Sequence, residues 1–254
     1  CHFSMVTPSE TRVEQVLYQV GIAKLLGRMK SFDSSAFHHS VRHWHVAHGY
    51  DVNLENAENI FDSFQGRLTP ELSRSIYAGV SEAMTNCMHH AYEGENLPDA
   101  CRKWWMFSRE DATSGRLQVV FCDLGIGIPK SLFRESEKIK DDWLDNLKKW
   151  IASHIASGKA DDDALKIRAA IEIGRTRTKL QHRGKGLKQM VSTLDQIGDG
   201  DATVEIISGN GMYRHRSRNK KVVEKALPLS DNRKTAIRGT LIHWSVPLPK
   251  REAE

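Results

Sequence analysis

The chain has 254 residues, 39% hydrophobic and 27% charged, with a formal net charge of +5. These proportions exclude a disordered chain, and no apolar run approaches the ~20 residues of a membrane-spanning helix. Cys1, Cys87, Cys101 and Cys122 lack metal-ligand or disulfide-framework spacing, and no secretory leader is visible, so a reducing, cytoplasmic setting is expected.

In chain order, Thr7-Pro8-Ser9-Glu10 reads as a helix start, with Thr as N-cap, Pro at the first helical position and Glu closing a capping box. Val13, Val16, Leu17 and Val20 continue that helix, and Ser31 to Ser35 is a break. Phe37 to His45 reads equally as strand or helix. His39 and His43 would stand one helical turn apart there, but no cysteine or second fixed cluster accompanies them as metal ligands.

Thr69-Pro70-Glu71 opens a long helix expected to run to about Tyr92. On it Glu82, Asn86 and His90 recur every fourth residue, which places them on one face. Ile76, Val80, Ala83, Met84, Cys87 and Met88 form the apolar side. A strand at Lys103 to Phe107 and a turn at Ser114-Gly115 follow. Leu117 to Cys122 is apolar on both faces and reads as a central strand. It delivers Asp123 directly before Gly125 and Gly127, a turn that lets the main chain approach a ligand. A carboxylate fixed there can accept a hydrogen bond from an exocyclic amine such as that of adenine.

Ser131 to Gly174 is charged and helical, with a separate piece at Ala164 to Ile173. Gly184 and Gly186 then precede an amphipathic helix carrying Leu187, Met190, Val191, Leu194 and Ile197. Free N–H groups at such a start attract anions. Arg175, Arg177, Lys179, His182, Arg183, Lys185 and Lys188 crowd the approach, as holding a polyphosphate would require. Gly209-Asn210-Gly211 marks a hairpin. The basic run Arg214 to Lys221 reads as a solvated loop between edge strands, with nucleic-acid contact the less favoured reading. Gly239 to Val246 closes the series as a strand.

The ordered set of Glu82, Asn86 and His90-Ala91-Tyr92, then Asp123-x-Gly125-x-Gly127, then Gly184-x-Gly186-Leu187, then Gly239-Thr240 resembles the GHKL superfamily of ATP-binding domains. That group includes gyrase-type topoisomerases, heat-shock chaperones, histidine kinases and mismatch-repair ATPases. The resemblance spans residues 69–249. It implies the Bergerat fold, an α/β (α+β) sandwich: a mixed, mainly antiparallel sheet, helices on one face, and a long helical ATP lid over about 131–183. Residues 1–68 lie outside it, as a small, mostly helical extension for coupling or dimerisation.

The resemblance also implies ATP and Mg²⁺ as ligands. Asn86 would hold the metal, and Glu82 would be the catalytic group that activates a water or an acceptor hydroxyl. Asp123 would read adenine with Thr240 in support, and Gly125, Gly127 and Ile128 would shape the base pocket. Gly184, Lys185, Gly186 and Leu187 would cradle the phosphates, with Arg175, Arg177 and Lys185 as candidates for the terminal one. Three departures stand out: Lys188 replaces a glycine that many relatives carry, the lid is long for a histidine kinase, and His182-Arg183 precede the glycine pair. The implied activity is ATP hydrolysis with lid closure controlling a partner protein. Phosphotransfer to a partner, by a serine kinase of the anti-sigma type or a histidine-kinase domain, is the alternative. Phe37-His38-His39-Ser40 lacks the acidic-arginine-proline context usual around an acceptor histidine. A homodimer remains open, and no membrane partner is expected.

Overall fold

Strict two-residue alternation of burial runs through most of the strands and builds a sheet with one covered face. The structure, a computed structural model, describes residues 6–27, 36–41, 44–62, 64, 67–111, 113–138, 149–150, 153, 162–173, 187, 191, 194, 201–219, 221–229 and 236–248. The strands are β1 (Trp44–Gly49), β2 (Trp104–Asp111), β3 (Arg116–Asp123), β4 (Asp201–Gly209), β5 (Gly211–Arg218), β6 (Lys221–Pro228) and β7 (Ile237–Pro247). They form one seven-stranded sheet in the order β1-β2-β3-β7-β4-β5-β6. Every adjacent pair is antiparallel, so the described sheet is antiparallel throughout rather than mixed.

The inner face carries Trp104, Met106, Leu117, Val119, Phe121, Val204, Ile206, Tyr213, Ile242, Trp244 and Val246, all buried. Each large side chain removed from water there contributes roughly 1.5–3 kcal/mol. The helices are α1 (Thr11–Gln19), α2 (Ile22–Leu25), α3 (Glu58–Asp62), α4 (Pro70–Asn86), α5 (Ile128–Lys138) and α6 (Asp163–Ile173). Leu72, Ile76, Val80, Ala83 and Met84 of α4 and Ile167 and Ile171 of α6 join the inner-face residues in one core. The architecture is therefore α+β, with helices packed on an antiparallel sheet. No described helix is long and apolar enough to cross a membrane.

The outer face of the sheet is half-exposed. β3 alternates strictly between buried and half-buried residues, so it is central in the sheet yet covered on one face only, unlike the two-faced strand its composition suggests. A polar chain crosses this face. Gln118 Oε1 lies 2.6 Å from His243 Nε2, His243 Nδ1 lies 3.2 Å from Glu205 Oε2, and Arg214 Nε donates to Glu205 Oε1 at 2.5 Å.

Several local expectations change. α1 begins at Thr11 with Glu10 at the N-cap, and no side chain caps it; the Glu10 carboxylate pairs instead with Arg12 at 2.7 Å. Gly21, at φ 79°, separates α1 from α2. Residues 44–64, placed by sequence in the extension, supply β1 to the same sheet and Ile60, Phe61 and Phe64 to the same core. The run Arg214 to Lys221 is not a loop. It is the end of β5, a tight turn with Asn219 at φ 49°, and the start of β6. Period-two alternation explains the difference: His215 and Ser217 are buried while Arg216 and Arg218 point outward, and a solvated loop would not alternate. The hairpin between β4 and β5 turns at Gly209-Asn210, with Gly209 at φ 60°.

Candidate functional site

The site is built where the end of α4 meets the end of β3. α4 starts as its sequence dictates: Thr69 Oγ1 accepts a hydrogen bond from Leu72 N at 3.3 Å, and Pro70 occupies the first turn. The regular helix stops at Asn86 and continues as a single π turn over Cys87–Ala91. Cys87 and Ala91 continue the buried side of Val80 and Met84, while Met88 is 39% exposed. Turns of this kind concentrate at functional sites.

The π turn docks on the glycine loop. Ala91 O accepts from Ile126 N at 2.7 Å, and Leu124 N donates to the Tyr92 hydroxyl at 3.1 Å. That hydroxyl in turn donates to Lys103 O at 2.5 Å. Gly125 lies so close to Ala91 that a Cβ would collide with the Ala91 carbonyl and methyl groups. The two motifs, far apart in sequence, are thus in direct contact.

Asp123 sits 6% exposed at the centre. Gly125 N donates to its Oδ1 at 2.8 Å, and the Thr240 main-chain N–H also donates to the carboxylate. No described cation pairs with it. Burial pushes its pKa up from the usual 3.8 to about 6, against the pull of those two main-chain donors. Burial likewise raises the thiol of Cys122 to about 11 and the phenol of Tyr92 to about 12, and it raises the Cys87 thiol. The charge of Asp123 adds to each of these shifts.

Ser208 of β4 is the brace that sequence reasoning missed. Fully buried, it accepts from Ile128 N at 2.9 Å, donates to Gly239 O at 2.8 Å, and lies 3.2 Å from Thr240 Oγ1. It therefore ties Gly127 and Ile128 to β7. Gly127, at φ 82°, has room for no Cβ because Ser208 Oγ would stand 2.6 Å away. Gly239, at φ 80°, presses on Asp123 itself. A serine inside a hairpin strand carries no sequence signal for this role, whereas Gly239-Thr240 was legible as a dipeptide.

On α4, Asn86 hydrogen-bonds the Glu82 side chain. Burial raises the pKa of Glu82, and the Asn86 hydrogen bond and the nearby His90 and His89 act in the opposite direction. A half-buried carboxylate beside a carboxamide offers hard oxygen donors and a base of increased proton affinity.

The structure thus joins Asp123, Gly125, Gly127, Ile128 and Thr240 in one hydrogen-bonded assembly, and joins Glu82 to Asn86 on the helix that abuts it. Leu187 packs, partly buried, against the core, with Val191 and Leu194 inside it. Arg175, Arg177, Gly184, Lys185 and Gly186 lie outside the described residues, as does His43. Among the described residues no cluster of His, Cys, Asp and Glu forms a metal site. No family model matches the chain, and no curated protein matches it.

Proposed function

We propose that the chain binds ATP with Mg²⁺ as a GHKL-type domain of Bergerat fold and hydrolyses the nucleotide, coupling that cycle to a partner protein. The observation that carries this reading is Asp123: a buried, acceptor-only carboxylate without a described cationic partner, collared by Gly125, Gly127 and Gly239. Such a group suits a neutral donor, and an exocyclic amine of a base is one. With its pKa pushed up to about 6, the carboxyl is mostly ionised at pH 7 and accepts well.

The other residues fit the rest of the nucleotide. Asn86 would give a carboxamide oxygen to Mg²⁺, which favours hard oxygen ligands and keeps several waters. The bound ion would neutralise charge on the phosphates. Glu82 orients the attacking water and takes its proton, a task helped by a raised proton affinity. Thr240 fixes Asp123 through its main-chain N–H. Gly184, Lys185, Gly186 and Leu187, with Arg175 and Arg177, would hold the phosphates; Ile167 and Ile171 anchor α6 in the core, so a lid over the phosphates would exclude residues 163–173.

Incubation with γ-labelled ATP and Mg²⁺ tests the reading directly. Wild type should release free phosphate, Glu82→Ala should bind ATP but release phosphate at least ~100-fold more slowly, and Asn86→Ala should lose Mg²⁺-dependent binding. Unchanged binding in Asn86→Ala would sink the metal assignment. Label appearing on an added protein rather than in solution would replace hydrolysis with phosphotransfer.

A further inference from the structure

Among the described residues β6 is the last strand in the sheet order, so one row of its main-chain N–H and C=O groups faces away from β5 with no described strand paired to it. An eight-residue edge of this kind is a template for another strand. Its side chains are open as well: Val222, Val223 and Leu227 are 44%, 51% and 44% exposed. On the inner side Glu224 is engaged, with its carboxylate 3.3 Å from His215 Nδ1. On the outer side Lys221, Val223, Lys225 and Leu227 alternate cation and hydrophobe, next to Arg218, Arg216, Arg214 and Met212 of β5. Asp201 and Glu205 already neutralise Arg216 and Arg214. Neither Lys221 nor Lys225 has an ion-pair partner among the described residues.

A second copy of the chain is a poor occupant of this edge. Antiparallel pairing of β6 with itself must keep the two outer faces together, so only registers centred on a residue are allowed. The two longest, centred on Glu224 and on Lys225, would place Glu opposite Glu or Lys opposite Lys, and like charges directly opposite destabilise a pair. Nucleic acid is also poorly matched, because the cations that remain are interleaved with exposed valine and leucine.

We infer that β6 is a docking edge for an extended acidic segment of a partner protein. Running antiparallel, that segment places apolar residues against Leu227 and Val223 and carboxylates against Lys225 and Lys221. Its pattern is therefore apolar, any, acidic, any, apolar, any, acidic. Main-chain hydrogen bonds supply affinity and the alternating side chains supply selectivity. Lys225, which blocks one of the self-pairing registers, together with Lys221 recruits this partner.

The probe is a fluorescent, end-capped peptide Val-Thr-Glu-Thr-Val-Thr-Glu, titrated into the whole protein and followed by anisotropy. Saturable binding is expected, weakened ~10-fold or more when both glutamates become lysine and abolished by methylating main-chain nitrogens at alternate residues. The double variant Lys221→Glu, Lys225→Glu should reverse the preference and bind the lysine peptide better; an unchanged melting curve shows that it is folded. No saturable binding, or equal affinity for the two peptides, overturns the inference. So does a dimer in sedimentation that the double variant dissolves, or oligonucleotide binding that it abolishes in the absence of peptide binding.

Discussion

A carboxylate withdrawn from water destabilises the fold wherever it is charged, and Asp123, with no cation beside it among the described residues, is such a group. Between about pH 4 and 6 the folded chain holds a proton that the unfolded chain has lost. Stability therefore falls as pH rises through that window, and above it the full cost of up to ~3 kcal/mol is in place. Asp123→Asn is expected to raise urea-unfolding stability at pH 7.5 and to leave it nearly unchanged at pH 4, while abolishing ATP binding. A gain of the same size at both pH values would contradict the buried-charge account. Gly125→Ala should cost about 1–3 kcal/mol in the same assay, because its methyl group meets the main chain of Ala91 rather than a yielding side-chain end.

Elements are held in place by single polar atoms. Ser208 Oγ serves the glycine loop and β7 at once, so Ser208→Ala should lower stability by roughly 1–3 kcal/mol and weaken nucleotide binding with it. Calorimetry read beside an ATP titration would separate this from a purely structural loss: a variant that melts earlier yet binds ATP normally would deny Ser208 any part in shaping the site. Thr69→Ala should cost about 1 kcal/mol through its lost N-cap, with no effect on binding. The start of α4 was legible because capping is local chemistry. Its π turn was not, because the widening is set by where Ala91 and Tyr92 must meet the Asp123 loop, and that loop lies over thirty residues downstream.

Across the whole molecule, the sequence reveals strands through alternation and turns through glycine. It does not reveal which strands are neighbours. The hairpin at Gly209-Asn210 could be read from its residues, whereas the pairing of β1 with β2 spans α3, α4 and several loops and could not. For the same reason residues 44–64 looked separable from residues 69–249. A chain beginning at residue 69 would lack β1 and the Ile60, Phe61 and Phe64 side chains of the core. It should fail to show cooperative urea unfolding, whereas folding with wild-type stability would restore a boundary at residue 68.

β7 comes last of the strands in sequence but lies at the middle of the sheet, between β3 and β4. A ribosome delivers the chain from the N-terminus, so β1–β2–β3 and β4–β5–β6 emerge as two meanders with no described strand yet joining them. Until β7 clears the exit tunnel, β3 and β4 each present an unpaired edge, the condition under which nascent sheets associate wrongly. Translation that stops before residue 237 should therefore leave a product retained by chaperones, and synthesis of the final strand is the event that closes the sheet.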